Sequence, residues 1–204
     1  LKILKSKKNL GLKTLFDICE IRSQPNVYHI GYLLGPRINA GGRVGKSSHG
    51  ANLLVNNNPK DAFKIASELD QYNKERQNLE KYILDKILNE VKINSLDPVI
   101  VLSGKNWHEG VIGIVASRIK DQFNKPVIII SIDKNIGKAS ARSIVGFDIG
   151  SAIIAATQEK ILIKGGGHKM AGGFSIKVDK IQKFKNFIFK KFKSINENLT
   201  KEKT

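Results

Sequence analysis

The sequence predicts an α/β domain, a mixed and mostly parallel sheet covered by helices, preceded by one long connecting helix and a shorter helical region. Three observations predict it. After Pro98, short apolar runs of strand length alternate with amphipathic segments of helical length, the pattern of strands joined through helices that cover the faces of a sheet. Before that point, residues 61–92 run without glycine or proline and repeat apolar residues at steps of three, four or seven, as one continuous helix does. The first 58 residues hold only short helical patterns and a glycine-rich stretch. The expected divisions are therefore 1–58, a connecting helix at 59–94 and the α/β domain at 95–204.

Taken in order, Leu10, Leu12, Leu15, Ile18 and Ile21 recur at near-helical spacing. Residues 31–50, GYLLGPRINAGGRVGKSSHG, read as a loop punctuated by glycines and Pro36, with Tyr32, Arg37, Asn39 and Arg43 as its aromatic and polar side chains. Within it AGGRVGKS fits a permissive phosphate-loop pattern, and VIIISID could serve as the acidic strand such a site needs. A phosphate loop follows a buried strand, however, and Gly35, Pro36, Arg37 and Asn39 cannot form one; an alanine also replaces the first glycine. The long helix follows Pro59, with Ile65, Leu69, Tyr72, Leu79, Ile83, Ile87 and Val91 as its stripe. At 1.5 Å per residue it spans about 48 Å, enough to join two bodies. Asn73 and Arg76 share one of its faces, open either to a ligand or to solvent.

PVIVLS, PVIIISI, KASARSI and GFSIKV read as strands. Residues 107–123 read as a loop and a helix starting near Gly110, FDIGSAIIAAT as a second helix, and 181–192 as a closing amphipathic one. His108 stands at the electropositive start of the first of these helices, where it either caps or meets a ligand. Arg118, two turns on, suits a ligand or a surface salt bridge.

With 41% hydrophobic and 26% charged residues the chain is globular rather than disordered. Its single cysteine, Cys19, excludes an internal disulfide and fits a reducing, cytoplasmic setting. No apolar run reaches membrane-spanning length, and the first ten residues lack a signal-peptide core. The chain begins with Leu rather than Met, as a piece of a longer protein would. A net charge of +17 points to polyanions, but residues 1–10 hold four lysines and no acid, and residues 180–204 hold eight lysines against two acids. More than half of the charge thus lies at the ends. Five of the six arginines (Arg37, Arg43, Arg76, Arg118 and Arg142, but not Arg22) fall instead in or beside the motif-like segments.

The richest of these segments runs from Gly137 to Gly173. Ser140, Arg142 and Ser143 open it, and Gly165, Gly166, Gly167 and His168 close it. Hydroxyls, a guanidinium fork, an imidazole and amides bare of a Cβ are the groups that grip a phosphate ester. The triple glycine alone would also suit a turn, and the serines and arginine a plain strand edge.

GPRINAGGR, the long helix with Asn73 and Arg76, WHEGVIGIVASR, SARS followed by GFDIGSAI, and GGGHKMAGG occur in the order found in the RecJ-type single-stranded-DNA exonucleases, and the chain resembles that family over residues 10–178. The resemblance implies a phosphodiesterase of the DHH superfamily, with an N-terminal DHH domain whose aspartates and histidines hold Mn²⁺ or Mg²⁺, a connecting helix, and a smaller DHHA1 domain. This chain would supply the helical tail of the first, the connecting helix and the whole of the last. It contains no Asp-x-Asp, no Asp-His-His and no histidine cluster, so the metal ligands are expected to lie in the absent DHH domain.

By the same resemblance, Arg37 would hold a backbone phosphate and Tyr32 would stack a base. Asn73, Arg76, Arg118, Ser140 and Arg142 would continue the phosphate track, and Asn39, Arg43, His108 and Ser143 are further candidate nucleic-acid or phosphate contacts. His168, with Gly166 and Gly167, would face the catalytic cleft. The partners implied are single-stranded DNA and other repair proteins, and the implied role is 5′ to 3′ degradation in DNA repair and recombination. Ala139 and Gly172 stand where glycine and alanine are usual, and the oligonucleotide-binding β-barrel that commonly follows is absent, so weak binding by this piece is expected. A phosphodiesterase for short RNA or cyclic dinucleotides, and a noncatalytic nucleic-acid-binding module, are the alternative readings.

Overall fold

The structure, a computed structural model, describes residues 8–90 and 96–201. They fall into two compact units, Leu1–Leu79 and Glu80–Thr204. Among the described residues no helix is long and apolar enough to cross a membrane. Lys2, Lys5, Lys7 and Lys203 of the basic ends, and Val91 and Lys92 of the long helix, lie outside the described residues.

The first unit is helical. Helix α1 (Leu10–Ile18) is capped by Asn9, whose side chain accepts the Leu12 N–H. A π-helical turn (His29–Leu34) leads into α2 (Gly35–Val44), followed by α3 (His49–Val55) and the first part of α4 (Pro59–Glu90). Leu15, Phe16, Leu34, Leu53, Ala62, Ala66 and Leu69 form its core. The stretch 31–50, expected to be a loop, is thus mostly helix. Pro36 sits in the first turn of α2, where a missing N–H costs nothing. Glycines that read as loop residues serve close packing instead: Gly41 is buried where a Cβ would lie 2.6 Å from the Lys46 carbonyl oxygen.

Helix α4 is continuous through 32 residues. Its buried face is Ala62, Ala66, Leu69, Asn73, Arg76, Glu80, Ile83 and Ile87, each three or four residues after the last. The expected stripe therefore fails in the middle: Tyr72 and Leu79 are only half-buried, and Asn73, Arg76 and Glu80 occupy the buried line. Asn73 and Arg76 are correspondingly not a solvated surface.

The second unit carries a five-stranded sheet in the order β1-β2-β3-β5-β4. The strands are β1 (Ile100–Lys105), β2 (Val127–Asp133), β3 (Ile136–Arg142), β4 (Lys164–His168) and β5 (Ala171–Lys177), interleaved with α5 (Glu109–Phe123) and α6 (Ile149–Gln158) and closed by α7 (Ile181–Lys201). The sheet is mixed and flanked by helices as expected, but its parallel character is smaller than expected. Only β1 and β2 pair parallel; the other three pairings are antiparallel. Parallel pairing needs a long crossover, which α5 supplies, whereas two-residue turns at Lys134–Asn135 and Lys169–Met170 force hairpins. The fifth strand, β4, contains the triple glycine, which sequence reading took for a phosphate grip or a turn and did not assign as a strand.

Alternation along the strands sends Ile128, Ile130, Ala141, Phe174 and Ile176 into one core with α6 and α7, through Ile149, Ile153, Ala156, Phe184 and Ile188. Helix α5 packs against β2 and β3 with Val111, Ile112, Val115, Ala116 and Ile119 buried. The Ser131 hydroxyl, buried on β2, donates to the carbonyl oxygen of Trp107 and fixes the loop ahead of α5. Ser131→Ala removes that donor from a buried acceptor and is expected to lower stability by about 1–2 kcal/mol. Urea titration followed by the emission of Trp107, the only tryptophan, should also show a red shift; an unshifted midpoint and emission would mean the loop is held by other means.

Candidate nucleic-acid interface

Strand β3 divides its side chains between two faces. Ala139 and Ala141 join the core, so Lys138, Ser140 and Arg142 lie on the face met by α5. Arg142 Nη1 donates to Ser140 Oγ at 3.1 Å and to the Ala141 carbonyl at 2.8 Å, which fixes the guanidinium before any ligand arrives. Gly113 of α5 makes room for both: a Cβ there would lie 2.9 Å from Ser140 Oγ and 3.0 Å from Arg142 Nη2. Sequence reading missed Gly113; its only signal was a glycine inside the run Val111–Ala116, whose other residues are Val, Ile and Ala.

The register then lays three rows across β3, β5 and β4. They are Arg142, Ala171 and His168; Ser140, Gly173 and Gly166; and Lys138, Ser175 and Lys164. The middle strand contributes only small residues, and the last two rows line a groove of about 590 Å³. A floor of Ala, Gly and Ser between polar rails lets an anion approach the backbone. A Cβ on Gly166 would meet nothing within 4 Å. The neighbouring Gly167 differs, since a Cβ there would lie 2.4 Å from the Ala171 carbonyl oxygen and 2.5 Å from Gly172 Cα. Gly167 therefore lies on the alternate parity, where close approach of β5 requires a glycine, rather than on the groove floor.

His168 is exposed at the end of β4, and the turn after it is tied down by the Ile149 N–H, which donates to the Lys169 carbonyl at 3.2 Å. Asp148 caps that helix by accepting the Ser151 N–H, and this bond holds its carboxyl below the usual carboxylate range. Ser143 does not belong to the site: it is 1% exposed and its hydroxyl donates to the Phe147 carbonyl at 2.7 Å. His108 acts as the cap of α5, its Nδ1 accepting the Gly110 N–H at 3.1 Å, with the ring exposed. Arg118 is largely exposed but its Nε pairs with the buried carboxylate of Glu80.

In the first unit, Arg37 Nε donates to Asp70 Oδ1 at 2.8 Å and its Nη1 to the Leu33 carbonyl at 2.9 Å. Burial alone would raise the Asp70 carboxyl, but the hydrogen bonds from Lys74 and Arg37 outweigh it and hold that group below its ordinary range. Tyr32 is 72% exposed and stacks on Tyr28, with ring centroids 5.1 Å apart. Tyr28, four residues earlier on the same turn, was missed in the sequence. Asn39 and Arg43 are exposed on α2. Arg76 Nη2 donates to Asn73 Oδ1 at 2.7 Å within the buried face of α4. Among the described residues no group of three or more His, Cys, Asp and Glu could hold a metal ion, so these residues do not fit one.

The two glycines separate groove chemistry from packing. Gly166→Ala is expected to leave stability within about 0.5 kcal/mol while placing a methyl group in the groove. Gly167→Ala is expected to cost about 1–3 kcal/mol because backbone must move. Thermal unfolding of the two variants checks this, and the opposite ranking would contradict the assigned parity.

A DHHA1 domain family matches residues 96–194. The RecJ single-stranded-DNA-specific exonuclease of Bacillus subtilis is 37% identical over 183 residues, covering 87% of this chain and 23% of its own length. That of Escherichia coli is 34% identical, covering 85% of this chain and 32% of its own. The crystal structure of Thermus thermophilus RecJ in complex with Mg²⁺ superposes with a TM-score of 0.84 at 28% identity, over 95% of this chain and 30% of that one. The chain thus spans about a quarter to a third of these relatives. In sequence and in fold, the chain belongs to the RecJ family, of which it is the part containing the DHHA1 domain.

Proposed function

We propose that this chain is the substrate-gripping part of a 5′ to 3′ single-stranded-DNA exonuclease that works in the cytoplasm in DNA repair and recombination. The observation that carries the reading is the pre-fixed Ser140–Arg142 pair facing Gly166 and His168 across a strand of small residues. Such an arrangement offers a phosphate a charged fork, a hydroxyl and approachable backbone, without contacts that read a base. In this reading Arg142 and Ser140 take a backbone phosphate, and His168 donates to a non-bridging oxygen of the phosphate being cut.

Tyr32, backed by Tyr28, offers an exposed ring to a base, and Arg37, steadied by Asp70, offers its remaining nitrogen to another phosphate. We place residues 1–58 as the tail of a DHH domain and 59–94 as the connection to the DHHA1 domain. The Thermus thermophilus relative holds Mg²⁺ or Mn²⁺, and we assign the corresponding ion in the whole enzyme to DHH-domain residues outside those described. That ion would supply the activated water; the residues here bind and orient the strand.

The purified chain is expected to bind single-stranded DNA weakly and with strong salt dependence, and not to cut it with Mn²⁺ present. Arg142→Ala should weaken binding by about 1–3 kcal/mol. Fluorescence anisotropy with labelled single strands, together with a gel assay for products, checks both points. Unchanged affinity would remove Arg142 from the track, and robust metal-dependent cleavage would sink the assignment of catalysis to the absent domain.

A further inference from the structure

The phosphate-binding reading uses the rows of Arg142 and Ser140, yet the same face continues by one more row. Lys138 and Lys164 stand on either side of Ser175 and line the same groove as Ser140 and Gly166. Successive rows are two residues apart, about 6.8 Å along a strand. Neighbouring phosphates of an extended nucleic-acid strand are separated by a similar distance, so an anion in one row brings its neighbour to the next.

The row is built for charge rather than for shape. Lysine is a compact, mobile point charge that follows a phosphate without a fixed bidentate geometry, while Ser175 adds a hydroxyl to the floor between the two ammonium groups. Lys138 is already engaged: its Nζ lies 2.8 Å from Oε2 of Glu109 in the first turn of α5. Both partners are about half exposed, so the ion pair is weak and easily exchanged for a phosphate. Glu109 therefore keeps the row near neutral on one side until an anion displaces it.

We propose that Lys138, Ser175 and Lys164 form a second anion-binding position, one strand step from Ser140, which takes the phosphate adjacent to the one held by Ser140 and Arg142. The proposal rests on the phosphate-binding reading of that first position. It gives the groove a minimum ligand: a species with two linked phosphates fills both rows, and a species with one fills a single row.

The test compares two probes that differ by one phosphate, the dinucleotide TpT and its 5′-phosphorylated form pTpT, titrated by NMR into the whole chain. The chain is expected to prefer pTpT by about tenfold. In the Lys138→Gln/Lys164→Gln variant that preference should vanish while TpT affinity stays, and the salt slope for pTpT should fall by about 0.7. Glu109→Gln, which frees Lys138, should enlarge the preference several-fold. A chain that binds both probes equally, a lysine variant that keeps the preference, or a Glu109→Gln variant that loses it would overturn the proposal. If Arg142→Ala leaves both probes unaffected, the first position falls and the second with it. If Arg142→Ala weakens both probes while the lysine variant changes neither, only the second position falls.

Discussion

Everything the second unit offers an anion depends on the alternation of side chains along β3, β5 and β4. On one face Ala139, Ala141, Phe174 and Ile176 meet α6 and α7 and make the core. The same two-residue period sets Lys138, Ser140 and Arg142 on the other face, opposite Lys164, Gly166 and His168. A slip of one residue in either hairpin would exchange the two sets and lose core and groove together. Stability and the proposed phosphate grip are therefore specified by one register, and the two-residue turns that close the hairpins are as much a part of the candidate site as the side chains.

Four of the motif arginines are already held in place. Arg142 is fixed by Ser140, Arg37 by Asp70 and the Leu33 carbonyl, Arg76 by Asn73, and Arg118 by Glu80. A guanidinium already restrained loses less side-chain entropy on meeting a phosphate, so more of each hydrogen bond appears as affinity. The lysines of α7 contrast with this. Lys183, Lys190 and Lys193 are exposed, and their attraction for a polyanion is long-ranged, screened by salt and indifferent to geometry.

Much of this was legible in the sequence, for reasons that also mark where legibility ends. Ser140 and Arg142 of β3 sit in an alternating pattern with Ala139 and Ala141, and α4 and the apolar strands announce themselves by period. Three features were hidden. The helix α2 was masked by glycines and Pro36, whose low helix propensity is overridden by packing. Strand β4 was hidden because Gly165, Gly166 and Gly167 carry no period, and only pairing with β5 makes them a strand. The buried run of Asn73, Arg76 and Glu80 could not be foreseen, since polar residues on a helix read as exposed until partners appear. Ser143 and Gly167 were read from the Ser-x-Arg-Ser and Gly-Gly-Gly-His clusters, and each stands one position past the face that carries Arg142 and Gly166.

On the proposed reading, a single strand lies on the β3–β5–β4 face rather than on the basic helix α7. The most direct measurement is an amide NMR titration of the labelled chain with a 5′-phosphorylated oligothymidine. Binding on that face should give saturable shifts of the Ser140, Gly166 and Gly173 amides at lower ligand concentration than any change in α7. Shifts confined to α7, with those three amides unmoved at saturation, would contradict it.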